Sequence, residues 1–71
     1  MNKINPKKLL NSKWTAVNPV EKEKHFLVSE LDFDDEGEVT HCILEAIISH
    51  RSELIDWNVL KNSDNWLQGW K

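Results

Sequence analysis

Tryptophan constrains the fold of this chain more than any other residue type. The sequence has four tryptophans in 71 residues, and three of them, Trp57, Trp66 and Trp70, fall within residues 56–70. Each indole can bury roughly 200 Å² of surface, while its N–H needs a hydrogen-bond partner. A chain this short is only marginally stable without large core residues, cross-links or self-association. We therefore expect the tryptophans to fill the core and residues 56–70 to close it.

Cysteine usage excludes several ways of stabilising so small a protein. Cys42 is the only cysteine, so no disulfide can form within the chain. One cysteine and three scattered histidines do not make the four-ligand pattern of a structural zinc site, and we expect no metal or other cofactor. The sequence shows no signal-peptide pattern and no apolar run near the ~20 residues of a membrane span. Together with the absence of paired cysteines, this predicts a cytoplasmic location.

The net charge of −3 hides an uneven distribution of charge along the chain. Residues 1–24 contain six lysines and two glutamates, whereas residues 25–71 contain three basic and ten acidic residues. A basic arm attached to an acidic body could bind an anionic partner, or could pair with its own body or with a neighbour.

Hydrophobic patterning predicts a single small domain of the α+β class, mainly β. We expect residues 1–12 to form a basic arm with one turn near Pro6, residues 13–55 to form an antiparallel sheet of three to four strands, and residues 56–71 to form a tryptophan-rich helical lid. Residues 13–17 and 25–33 have strand composition, and Asp34–Glu38 is a turn in which Gly37 supplies a positive φ. Residues 39–49 fit a strand or a helix, and the preceding turn favours a hairpin strand.

The C-terminal segment is predicted to be helical because Asp56 can accept hydrogen bonds from the free N–H groups of a following turn. Either a short helix at 57–61 precedes a second turn, or one helix runs through to Gly69. In both cases the lid should place its tryptophans on one face of the sheet, with Trp14 packing from the first strand. The predicted contacts of Trp57, Trp66 and Trp70 on that face are Leu27, Leu31, Phe33, Cys42, Leu44 and Ile48.

Two motifs suggest chemistry but fit a structural role better. The acidic turn that begins at Asp32 matches the first half of a calcium loop, but Ile43 stands where the loop needs a bidentate glutamate. Cys42 follows His41 directly, which directs the two side chains to opposite faces of a strand. With no base placed beside it, Cys42 is predicted to be an inert core thiol. We expect no catalytic residues and no enzymatic activity.

The candidate interaction surface combines basic and aromatic residues: Lys7, Lys8, Lys13, Trp14 and Trp70. We expect a non-catalytic protein-interaction or adaptor module, with self-association as one form of the interaction, because small sheets leave edge strands and tryptophan favours interfaces. The alternative is a nucleic-acid-binding module, in which the lysines contact phosphates and Trp14 stacks on bases. Whether Trp14 is a core or a surface residue decides how it can act.

Several short motifs together resemble a known family. They are Asn5-Pro6-Lys7-Lys8-Leu9-Leu10-Asn11-Ser12-Lys13-Trp14-Thr15-Ala16, Glu23-Lys24-His25-Phe26, Leu44-Glu45-Ala46, Ile55-Asp56-Trp57 and the closing Trp66-Leu67-Gln68-Gly69-Trp70. The chain resembles, from about Asn5 to Lys71, the small bacterial tryptophan-rich proteins grouped as a domain of unknown function. The resemblance implies a stand-alone cytoplasmic bacterial domain, and it supplies no activity, cofactor, partner or catalytic residue.

Overall fold

A single five-stranded antiparallel sheet forms the body of the protein in a computed structural model that describes all 71 residues. The sheet order is β4-β3-β2-β1-β5. Its strands are β1 (Lys13–Val20), β2 (Glu23–Phe33), β3 (Val39–Ala46), β4 (Ser52–Leu54) and β5 (Trp66–Gln68). Two short 3-10 helices, Pro6–Lys8 and Trp57–Lys61, precede β1 and β5. The Cα atoms span 37 × 25 × 15 Å, so the molecule is a thin slab.

The central hairpin agrees with the sequence prediction. Strands β2 and β3 pair antiparallel across the turn at Asp34–Glu38, in which Gly37 has a φ of +83°. Asp34 Oδ1 accepts hydrogen bonds from the backbone N–H groups of Glu36 and Glu38, both at 2.9 Å. The acidic turn is thus capped by its own first carboxylate. Of residues 39–49, Val39–Ala46 form a strand rather than a helix, as the hairpin predicts, whereas residues 47–49 form a turn.

The predicted helical lid is wrong. The structure contains no α-helix, and the sheet has five strands instead of three to four. Asp56 does cap a turn, since its carboxylate accepts from the N–H of Asn58 at 3.0 Å, but this 3-10 helix ends at Lys61. Asn62 then accepts three hydrogen bonds from backbone N–H groups. Its side-chain oxygen accepts from Asp64, and its backbone carbonyl accepts from Asn65 and Trp66. Such local bonding by Asn favours turns over helix, and it leads the chain into β5.

The first hairpin is longer than predicted. Strand β1 continues through Pro19 to Val20, and only Glu21 and Lys22 separate it from β2. The pairing shifts between Thr15 and Val20, so that β1 contains extra residues there. A shifted ladder can accommodate Pro19, which has no N–H to donate.

A bulge in β2 decides which side chains enter the core. The β2–β3 register shifts by one residue between Val28 and Glu30, which leaves Ser29 as an extra residue. Phe26 and Val28 before the bulge and Leu31 after it therefore face the same side. Leu31, Cys42 and Leu44 lie in or against the core as expected. The predicted core positions of Leu27, Phe33 and Ile48 are wrong: Phe33 and Ile48 are exposed, and Leu27 points to the opposite face.

The core lies on one face of the sheet, which we call the inner face; the opposite face is the outer face. Eight buried hydrophobic residues form the core: Leu9, Trp14, Phe26, Val28, Cys42, Leu44, Ala46 and Leu60. The N-terminal arm (residues 1–12) helps to cover the inner face. Asn2 Nδ2 donates to the carbonyls of Leu60 at 2.9 Å and Trp66 at 2.7 Å, which ties the arm to the second 3-10 helix and to β5. Trp57 and Trp66 pack against this core.

Candidate interaction surface

Lys13 and Trp14, adjacent in the predicted site, point to opposite faces of β1. The ring of Trp14 is 2% exposed in the inner core, and its Nε1 donates to Ser12 Oγ at 2.8 Å. Trp14 is therefore a core residue whose polar atom is satisfied within the chain. Its ring cannot stack on a base while the protein is folded.

The basic residues of the arm border a surface groove. Lys7 and Lys8 are exposed in the first 3-10 helix. Lys3, Lys8 and Lys13 lie along a groove of about 500 Å³ beside Trp14 and Gln68, and no acidic residue lines it. None of these lysines forms an ion pair within the chain. The groove therefore concentrates positive charge on an otherwise acidic protein.

The C-terminal tail (Gly69–Lys71) crosses onto the outer face. Gly69 has a φ of +82°, which a glycine adopts without strain. Thr15, which is buried, donates through Oγ1 to the Gly69 carbonyl at 2.7 Å and accepts from the Lys71 N–H at 2.9 Å. The ring of His25 lies 3.0 Å from the Lys71 carbonyl oxygen. These contacts fix the tail over β1 and β2.

Trp70 stands apart from the other three tryptophans because it lies on the outer face. Its Nε1 donates to the Phe26 carbonyl at 2.9 Å, and Lys13 Nζ lies 4.8 Å from its ring centroid. The residue is nevertheless 44% exposed. The structure thus brings Lys13 and Trp70 together, and the prediction that Trp70 packs into the core with Trp57 and Trp66 is wrong.

Next to the tail, the outer face carries apolar side chains that no other element covers. By strand alternation, Leu27 on β2, Ile43 on β3 and Leu54 on β4 point to this side. So does Ile47, which follows β3 directly and continues its register through a backbone bond to the His25 carbonyl. Leu27, Ile43 and Ile47 are partly buried without belonging to the core or packing against it. Leu54 is 64% exposed. These side chains therefore form an apolar surface on the outer face that has no second layer over it.

Two opposite charges flank Leu27 on the outer face. Lys13 on β1 and Glu45 on β3 are both cross-strand partners of Leu27, so the three side chains form one row across the sheet. Glu45 Oε2 lies 3.1 Å from Nδ1 of the exposed His50 ring, and Oε1 makes no hydrogen bond within the chain. Across the sheet, this row therefore places an acidic, an apolar and a basic side chain next to one another.

A second cleft lies on the inner face, where the arm does not reach. It has a volume of about 340 Å³ and is lined by Ala16, Phe26, Leu44 and Trp66 among others. Its polar wall is the buried carboxylate of Glu23, which accepts from Arg51 Nη2 at 2.7 Å and Nε at 3.1 Å and from Ser49 Oγ at 2.5 Å.

The bonds from Arg51 and Ser49 lower the pKa of the Glu23 carboxyl, and the bond to Glu23 raises the pKa of Arg51. Glu53 also lines the cleft, with its carboxylate 3.4 Å from Arg51 Nη1, and the charges of Glu23 and Arg51 neutralise each other within the chain. Neither is left free to bind a ligand, and the ion pair has a structural role.

Cys42 lies in the core as predicted. It is buried between β2 and β4 on the inner face, where burial raises the pKa of its thiol and the charge of Asp56 adds to the rise. A raised pKa keeps the sulfur protonated and a poor nucleophile. The neighbouring His41 points to the outer face, as strand alternation predicts.

Sequence reasoning missed the outer face, the Glu23–Arg51 pair and the role of Thr15. The row of Leu27 with Lys13 and Glu45 exists only once three strands are in register, and no local motif encodes it. The sequence does carry a signal for an apolar outer face, because residues 25–33 and 41–47 have apolar residues at both odd-numbered and even-numbered positions. That pattern indicates a strand with two apolar faces.

The model of the family described as tryptophan-rich protein (DUF2389) matches residues 12–71. The chain belongs to this family. The function of the tryptophan-rich family is unknown, and the match begins just before β1, so it includes all five strands and leaves out most of the N-terminal arm.

No curated protein and no solved structure matches the chain. None of the helical segments is long and apolar enough to cross a membrane.

Proposed function

We propose that this member of the tryptophan-rich family is a non-catalytic protein-interaction module that binds a protein through the outer face of its sheet. The open apolar surface formed by Leu27, Ile43, Ile47 and Leu54 carries the proposal. Sheets are stable when each apolar face is packed against another layer, and this face has no second layer within the chain. Contiguous exposed apolar surface on a small protein is typical of an interaction site.

The surroundings of this surface support a protein partner. Interfaces combine an apolar centre with aromatic residues and a polar rim, and here the apolar side chains lie beside Trp70, Lys13 and Glu45. A single buried cysteine also suits a reducing compartment such as the cytoplasm, where the partner would be found.

Site-specific photo-crosslinking tests the outer face. A photoreactive amino acid at Leu54, on the outer face, is compared with one at Val59, which is 45% exposed in the second 3-10 helix. After irradiation in the producing cells, Leu54 should yield a discrete crosslinked protein, whether a second copy or another chain. Val59 should yield little. No discrete product from Leu54, or the same products from both positions, would overturn the proposal.

Nucleic-acid binding is the second candidate, and the basic groove favours it. Lys3, Lys7, Lys8 and Lys13 could contact phosphates, whereas Trp14 is buried and Trp70 is the exposed tryptophan near Lys13. A Lys7/Lys8/Lys13 triple substitution to glutamine tests this candidate. Oligonucleotide should quench the fluorescence of the wild type at low salt, the quenching should fall steeply as salt rises, and the triple variant should lose it. Absence of quenching in the wild type rules this candidate out.

A further inference from the structure

The geometry of the outer face points to a second copy of this chain as its occupant, and we propose that two copies pack their outer faces together about a two-fold axis parallel to β2. This inference rests on the proposed function, since it assigns a partner to the same surface. Three properties of the outer face support the inference: its charge pattern, its surface shape and its size.

The charge pattern is complementary to itself. Lys13 and Glu45 lie on opposite sides of Leu27, and adjacent strands are about 4.8 Å apart. A two-fold axis that runs along β2 above Leu27 exchanges the two sides. It therefore places Lys13 of one copy over Glu45 of the other, twice per dimer, with the two Leu27 side chains between them. A two-fold axis perpendicular to the strands at Leu27 would instead place Lys13 over Lys13 and Glu45 over Glu45.

The unused bonding capacity of these residues agrees with this arrangement. Glu45 Oε1 makes no hydrogen bond within the chain. Lys13 Nζ contacts the face of the Trp70 ring and no other charged or aromatic group. Both groups can therefore gain a partner from the second copy without giving up a salt bridge between strands. His50 can remain on Glu45 Oε2 at the same time.

The relief of the face is complementary in the same way. Residues 69–71 raise the β1 side by lying across Thr15, with Trp70 projecting from it. The β3–β4 side has no such cover and presents Ile43, Ile47 and Leu54. The same two-fold axis sets the raised side of each copy over the low side of the other. Trp70, which lies beside His25 and Phe26, then comes over the end of β3 and packs against Ile47, the residue bonded to His25 there, which gives a tryptophan anchor on an apolar side chain.

The broad face of the slab is large enough to hold an interface of standard size. The slab measures 37 × 25 Å across its broad face, roughly 900 Å², and a standard stable interface takes about 800 Å² from each partner. Two sheets can pack about 10 Å apart with their strands nearly aligned. Residues of both sheets then form a second apolar layer, which a 71-residue chain cannot supply alone.

Charge exchange between separate chains tests the arrangement. In Glu45→Lys both positions are basic, and in Lys13→Glu both are acidic, so each variant repels its own copy. Sedimentation velocity should show a dimer for the wild type. The self-association of each single variant should be weaker by about tenfold or more. An equimolar mixture of the two variants should restore the dimer as a heterodimer, because every Lys–Glu pair is then re-formed.

Glu36→Lys in the exposed β2–β3 turn and Lys7→Glu in the arm make the same charge changes away from the face and should leave the wild-type association constant unchanged. A wild type that stays monomeric at all accessible concentrations overturns the inference. So does undiminished self-association in both single variants, or a mixture that fails to associate. If Leu54 nevertheless crosslinks to a different protein, the proposed function stands and only the second copy is excluded.

Discussion

Thr15 and Glu23 are the two polar residues that this fold buries, and each is matched by partners from distant segments. A buried polar group costs free energy unless it is hydrogen-bonded. Thr15 Oγ1 uses both its donor and its acceptor capacity on the tail, and Glu23 accepts from the turn before β4. Thr15 therefore attaches the C-terminus to β1, and Glu23 attaches the β3–β4 turn to β2.

Replacing Glu23 with glutamine should flatten the acid dependence of stability. The bonds from Arg51 and Ser49 lower the pKa of the folded carboxyl below its ordinary value of 4.5. The unfolded chain therefore binds a proton first as the pH falls. The stabilisation is complete above the ordinary pKa and is lost as the pH falls through the lowered one. Urea unfolding from neutral pH to about pH 3 should show a smaller decline in Glu23→Gln than in the wild type.

Glu36→Gln is the matched control, because that carboxylate is exposed in the β2–β3 turn. It should follow the wild-type decline. Asp56, whose pKa is lowered by hydrogen bonds from Asn58, keeps part of the acid dependence in both variants. Equal declines in Glu23→Gln and the wild type would contradict a structural role for the ion pair.

At the level of elements, the β1–β2 hairpin has a backbone that its sequence does not favour. Glu21 and Lys22 both have positive φ values, +53° and +66°, as a type I′ turn requires. Asn and Gly adopt this conformation readily, whereas longer side chains are strained in it. The turn is therefore imposed by pairing of the flanking strands and carries some strain.

The double substitution Glu21→Asn/Lys22→Gly should raise the free energy of unfolding by about 1 kcal/mol. Chemical denaturation measures the change. Lys24→Gly, two residues farther along in β2 and without a positive φ, should instead destabilise the protein by about 0.5–1 kcal/mol. A loss of stability in the double variant would mean that the two side chains make contacts that outweigh the strain.

The elements show where sequence reasoning succeeds and where it fails. The β2–β3 hairpin was predictable because Gly37 marks a turn between two long apolar segments. The bulge at Ser29 was not, because no residue type reports it, and it put Phe26 and Val28, instead of Leu27, on the same face as Leu31. Strand β5 is three residues long, which is too short for an alternation pattern. Asp56 does cap a helix, as its sequence position indicates, but Asn62 ends that helix.

On the scale of the whole molecule, the core has one layer of sheet and is closed by the N-terminal arm and by the segment from Trp57 to Trp66. The arm supplies Leu9, which is completely buried, together with Ile4, and Asn2 bonds to segments near the C-terminus. The family match begins at residue 12. The arm therefore completes the fold although most of it lies outside the matched region.

Leu9→Ala should cost about 2–5 kcal/mol of unfolding free energy, because it leaves a cavity under the arm. Leu10 is adjacent, identical in type and 47% exposed, so Leu10→Ala should change the stability by no more than about 0.5–1 kcal/mol. Thermal or urea unfolding of both variants measures the difference. Equal effects would show that the arm does not close the core in solution.

The placement of the tail has a practical consequence for anyone who produces this protein. The Lys71 backbone N–H is bonded to Thr15 on the outer face, so an affinity tag or fusion attached after Lys71 would start on that surface. Such an addition would compete with whatever binds there and could hide the association it was meant to reveal. Met1 is 89% exposed. A tag at the N-terminus leaves the outer face clear, and binding experiments should use it.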